Sequence, residues 1–154
     1  MRYAIFIGAL LFTAQATAGE VTVSDAWARA TAPGQDSGVV FMHITSRKKA
    51  NIIAVSSSVA GSADIHSMAH ENGVMKMRVM ETLPLPAMRK VVLASGGDHL
   101  MLNDLKQPLQ AGGNVTITLT VQYADKRTER IKVKAEIRSL TDSHDMHDHH
   151  HDPE

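Results

Sequence analysis

The feature that most restricts the fold is a period-two alternation of apolar and polar residues in the last third of the chain. Val115, Ile117, Leu119, Val121 and Tyr123 alternate with polar positions, and after a turn near Ala124 to Lys126 so do Ile131, Val133, Ala135 and Ile137. Alternation of this period puts every apolar side chain on one face of an extended strand, which a helix cannot do. Earlier in the chain, similar short runs recur between turn residues. Val21 to Arg29 ends at Ala32-Pro33-Gly34, and Gly38 to Thr45 and Asn51 to Ser57 flank a polar stretch. Ala63 to His70 and Val74 to Met80 flank Glu71-Asn72-Gly73, and Asn-Gly between two such runs is the strongest short-range hairpin signal. Lys90 to Ala94 and Asp98 to Leu102 read as short strands around Ser95-Gly96-Gly97. Leu83-Pro84-Leu85-Pro86 reads as an interruption, and Asn103 to Gly113 as a loop with one helical turn at most. Turn signals at this spacing predict an all-β sandwich or barrel.

The alternating region forms one domain, flanked by two segments of different character. Residues 1–18 carry Arg2, an apolar run from Ile5 to Phe12 and then Ala16-Thr17-Ala18, the pattern of a cleavable signal peptide. The apolar run is short for a bilayer span, which disfavours an anchor helix, and nothing later reaches 18 consecutive apolar residues. The expected mature domain is 19–140, in an envelope or extracellular compartment. Residues 141–154 have no apolar periodicity and are expected to be disordered until something binds them. Charge divides along the same boundary. The body carries fifteen basic and eleven acidic residues, for +4, whereas the tail has five acids and no Lys or Arg, for −5. A mild +4 is no nucleic-acid footprint, which needs clustered basic excess.

The chain has nine methionines, nine histidines and no cysteine. Without cysteine there are no disulfides, iron–sulfur clusters, thiol nucleophiles or thiolate zinc sites. Type-1 blue copper, which needs a Cys sulfur, is excluded as well. A zinc-protease helix is not offered by His66-Ser67-Met68-Ala69-His70, where Ser67 stands in place of the required Glu. No nucleophile elbow, P-loop or dinucleotide fingerprint is present. An oxidoreductase centre of three or more histidines would have to be built from His43, His66, His70 and His99, the body's whole supply.

Register predicts a cluster of soft donors. With Asn72 and Gly73 as the central turn residues, Met68 faces Met77 across the hairpin, and His66 lies diagonal to Met77 on the same face. His99 and Met101, two residues apart, also share a face. A sandwich can bring that strand beside the hairpin, close to Gly96-Gly97. Thioether sulfur favours Cu(I), imidazole suits copper too, and methionine does not oxidise to a disulfide as paired cysteines do. Spacing alone leaves a second reading open, because methionine on a strand is also a core filler. Met42, Met80 and Met88 read as packing or surface, and His43, in an apolar strand, as a structural histidine.

The string His66-x10-Met77-x21-His99-x-Met101 resembles the copper motif of the periplasmic PCu(A)C-type copper chaperones. Its surroundings are similar to that family as well: Ala26-Trp27-Ala28-Arg29, Asp64-Ile65-His66, Val74-Met75-Lys76-Met77-Arg78 and Gly97-Asp98-His99-Leu100-Met101-Leu102. The resemblance covers roughly 20–138. It implies a Greek-key β-sandwich of cupredoxin-like form that binds one Cu(I), with His66, Met77, His99 and Met101 at the ligand positions. It further implies a monomeric, non-enzymatic protein that supplies copper-accepting periplasmic or membrane-anchored proteins during cytochrome oxidase assembly. Met68 and Met75 fall outside the four-ligand pattern and read as neighbours that could shield or substitute.

The tail adds His144, Met146, His147, His149, His150 and His151 among aspartates. Imidazole and carboxylate suit Cu(II), so a second copper site is expected there. A buffer for copper resistance, with no acceptor protein, would have the same chemistry and remains open alongside the chaperone reading.

Overall fold

The computed structural model describes residues 19–139 and 141. The expected signal segment 1–18, and the tail histidines and Met146 expected to bind metal, lie outside the described residues. Ten strands and no helix make up the described part: β1 (Val21–Arg29), β2 (Gly38–Ser46), β3 (Ala50–Ser57), β4 (Ala60–Glu71), β5 (Val74–Met80), β6 (Leu83–Leu85), β7 (Lys90–Leu93), β8 (His99–Leu105), β9 (Asn114–Tyr123) and β10 (Thr128–Arg138). The all-β expectation holds, and β1 and β5 have the expected bounds.

The hydrogen-bonded order is β5-β4-β8-β2-β1-β10-β9-β3-β6, with β7 paired to β2 off this path. Ladders are antiparallel apart from β1 with β10. A β-bulge between Ser24 and Trp27 interrupts β1, with Asp25 in the left-handed region at φ 50°. Bulges bend a strand and sharpen its twist, and here the bent strand joins β2 on one side to β10 on the other. The path thereby folds over itself, and β3 packs beside β4 although no ladder joins them.

The apolar face of each strand points into the space so enclosed. Val40, Met42 and Ile44 of β2, Leu100 and Leu102 of β8, and Val115, Ile117, Leu119 and Val121 of β9 are all buried there. Alternation then sends Val39, Phe41 and His43 to the outer face of the sheet, along with His99, Met101 and Asn103.

Two segments differ from the sequence reading. Leu83 to Leu85 is a short edge strand rather than an interruption, because Pro84 needs no ladder donor at an edge and Leu83 and Leu85 bury fully against β3. Asn103 to Leu105 continue β8 instead of opening a loop, held by pairing of Asn103 with Ser62 and Leu105 with Ala60. The segment after them forms turns and no helical turn. Met42 and Met80 do pack in or against the core, and Met88 is a surface residue.

Leu119 is fully buried at the centre of β9. Leu119→Ala is expected to lower unfolding stability by about 2–5 kcal/mol with an unchanged denaturant slope. A urea titration showing a loss under about 1 kcal/mol would contradict its place in the core.

Candidate metal centre

The β4–β5 hairpin turns at Asn72 and Gly73, both at positive φ (51° and 78°), the geometry of a type I′ turn. The expected register holds: Glu71 faces Val74, His70 faces Met75, Met68 faces Met77 and His66 faces Val79. Even-numbered residues of β4 and odd-numbered residues of β5 therefore share one face. The reverse face is charged, with Glu71 paired to Arg78 and, at 3.2 Å, to Lys76. The hairpin thus has one ionic side and one side of imidazole, thioether and Val79.

On the soft side, His66 Nδ1 lies 2.9 Å from Met77 Sδ. β8 pairs directly with the other edge of β4, so His99 sits opposite His66 with ring centroids 5.6 Å apart. The sequence reading invoked sandwich packing to bring β8 near the hairpin. Instead the two are neighbours in one sheet, a tighter constraint. His99 is 6% exposed, its ring 6.5 Å from that of Phe41, which itself packs against Trp27 at 4.7 Å. Its Nδ1 lies 3.0 Å from the Gly97 carbonyl. A carbonyl can only accept, so Nδ1 carries a proton, which in the neutral ring leaves the lone pair on Nε2. A second partner that fixes the tautomer in this way is characteristic of metal-binding histidines.

Met101 is two residues further along the same face of β8, opposite Asp64 on one side and Val39 on the other. It borders a pocket of about 180 Å³ together with Arg29, Gln35 and Val39. Of the four candidate donors, three are thus brought into direct neighbourhood and the fourth is placed beside them on the same sheet face. Bonds of about 2.0 Å to nitrogen and 2.3 Å to sulfur, the lengths at tetrahedral zinc, put two such donors about 3.5 Å apart. The His66–Met77 contact is slightly tighter, so a small rotation of the exposed Met77 side chain would open it around one ion. Among the described residues no three His, Asp or Glu side chains form a hard-donor cluster. The donor set suits a soft ion.

Electrostatics favour the neutral ring of His66. Burial pushes its pKa below the ordinary value, neighbouring His99 pushes the same way, and Asp64 opposes them. Asp64 escaped the sequence reading of the site. It accepts a hydrogen bond from Asn103 Nδ2 at 2.8 Å, and only the β4–β8 register, unreadable from local pattern, places it there. His70, read from the sequence only as part of a possible all-histidine centre, is paired with Met75 by the same hairpin register that pairs Met68 with Met77. His43 lies on the outer face of β2, its Nδ1 3.0 Å from an Asp25 carboxylate oxygen with no hydrogen bond formed.

Residues 21–135 match the family described as LpqE-like lipoproteins. The protein Lxx21020 of Leifsonia xyli subsp. xyli, also named as a lipoprotein, is 32% identical over 114 residues, which is 73% of this chain and 68% of that one. The apo PCuAC domain from PmoF1 superposes with a TM-score of 0.64 at 26% identity, over 79% of this chain and 95% of that domain. The solution structure of the Cu(I) form of DR1885 from Deinococcus radiodurans gives 0.62 at 30% identity, over 83% and 85%. The sandwich is the cupredoxin-like fold of PCuAC domains.

The depressed His66 pKa has a consequence for folding. Between the folded and unfolded values the unfolded chain binds more protons, so stability falls as pH drops from about 6.5 through the folded value. An NMR titration of the metal-free protein is expected to give His66 a midpoint below 6.5. A midpoint at or above 6.5 would contradict the burial of this ring.

Proposed function

The chain belongs to the LpqE-like family, and from that premise we propose that it is an envelope copper chaperone. His66, Met77, His99 and Met101 hold Cu(I), and the ion is passed to a copper-accepting protein of cytochrome oxidase assembly. The observation that carries this reading is the meeting of Met77 Sδ with His66 Nδ1, beside a His99 ring held through its Nδ1 by the Gly97 carbonyl. Two imidazoles and two thioethers add no ligand charge, and their softness selects the monovalent ion. The similar Cu(I) form of DR1885 supports the same cargo. A soft donor set suits binding and release of the ion, and among the described residues no cluster of three His, Asp or Glu side chains could hold a hard metal.

Exposure favours delivery over storage. Met77 is 49% exposed on the edge strand of its sheet, so an acceptor can reach one sulfur while the more buried histidines still hold the ion. Ligand exchange one donor at a time avoids a free ion, and a closed site would not allow it. The family and the Leifsonia relative carry lipoprotein names, which supports an envelope location and agrees with residues 1–18 acting as a signal segment. The 154 residues themselves contain no cysteine to which a thioether-linked lipid could be attached. On this reading the sandwich is residues 19–140, and the acidic tail 141–154 gathers Cu(II) through His144, Met146, His147, His149, His150 and His151. A tether of this kind raises the local concentration of copper near the core.

Two measurements test the proposal. In an anaerobic Cu(I) competition titration, the Met77→Ala/Met101→Ala double variant should bind more than about tenfold more weakly. Unchanged affinity would remove these methionines from the site. Cu(II) binding by the full chain should weaken steeply below about pH 6, as the tail imidazoles protonate. Affinity flat from about pH 5 to 8 would exclude an imidazole-based tail site.

A further inference from the structure

We infer that His70 and Met75 form a second Cu(I) site at the outer end of the β4–β5 hairpin. In this arrangement Met68 stands between it and the His66–Met77 pair as an intermediate donor. The inference extends the copper reading above and rests on it. His70 and Met75 are directly paired across the hairpin, and His70 Nδ1 lies 2.7 Å from Met75 Sδ. The contact repeats that of His66 with Met77, with the same donor atoms at nearly the same separation. Both pairs lie on the same face of the hairpin, and Met68, opposite Met77, occupies the position between them.

The spacing makes the outer pair a separate site. His66 and His70 are four residues apart on one strand, about 13–14 Å at the rise of an antiparallel strand, too far for one ion to bond both. From either histidine, Met68 is one alternation away. The face therefore presents an imidazole–thioether pair, a thioether step and a second imidazole–thioether pair, in order from the sheet towards the turn.

The outer donors are displayed rather than packed. Met75 is 45% exposed and His70 is exposed too, so neither contact is explained by filling a core. The hairpin that carries them is held from its other side by Glu71, Lys76 and Arg78, whose charges point away from the soft face. With only two strong donors and open access, the outer site would hold Cu(I) more weakly than the core. This is the property expected of an entry or hand-off position at the tip, where a partner would first touch the molecule.

The test uses the full chain with methyl-labelled methionine, titrated anaerobically with Cu(I) and followed by NMR. The first equivalent to reach the body should shift the Met77 and Met101 methyls, and further copper should shift Met75 and Met68. Met146 reports the tail separately. His70→Ala, at an exposed position, should weaken the Met75 response by about tenfold or more while the Met77 and Met101 response stays. A Met75 methyl that stays still in excess copper while Met77 and Met101 shift would overturn the second site and leave the core reading intact. An unchanged Met75 response in His70→Ala would overturn the pairing. If Met77 and Met101 stay still, the core assignment fails, and with it the premise of a two-site face.

Discussion

Strand register is the constraint on which the candidate site depends. The donors are spread over 36 positions of sequence, on three strands, and only two ladders bring them together. The type I′ turn sets β5 against β4 so that Met77 points to the same side as His66. The β4–β8 ladder then sets His99 against His66. A one-residue slip would turn a donor to the opposite face, the apolar interior for β8 and the charged reverse side of the hairpin for β5. Such a slip is prevented from the core side, because Ile65, Leu100 and Leu102 must bury whenever His66, His99 and Met101 face outward. The apolar face of the sandwich therefore fixes the geometry of its outer face.

That outer face explains why soft, neutral donors suit the position. The site lies at a sheet surface, where Phe41 and Trp27 shelter His99 while Met77 remains open on the edge strand β5. Burial disfavours protonation of His66, and the Gly97 carbonyl holds the His99 ring through its Nδ1. The charged residues of the hairpin are turned to the reverse side. Shelter on one flank and access on the other agree with the proposed role as a carrier of a soft cation.

Much of this was legible in the sequence because the signals were local. Asn72-Gly73 between alternating runs fixed both the hairpin and its register, and His99-x-Met101 could only share a face. The period-two pattern marked β9 and β10 for the same reason. What was not legible depended on tertiary pairing. Pro84 concealed β6, since a proline is tolerated only where no neighbouring strand needs its N–H, and edge position is not a local property. The extension of β8 through Leu105 is set by Ala60 and Ser62 on a distant strand. Asp64 becomes a neighbour of Met101 only through that ladder. His43 reads as structural from its apolar strand, and alternation puts it with Phe41 on the outer face, next to Asp25 at the β1 bulge.

The central claim is that nitrogen and sulfur from this one face bind the same copper ion. X-ray absorption at the copper edge, on the full chain loaded with substoichiometric Cu(I), tests it most directly. A monovalent edge and a mixed shell of imidazole nitrogen and thioether sulfur are expected. A shell of nitrogen and oxygen alone would contradict it, because Met77 and Met101 would then be bystanders to the bound ion.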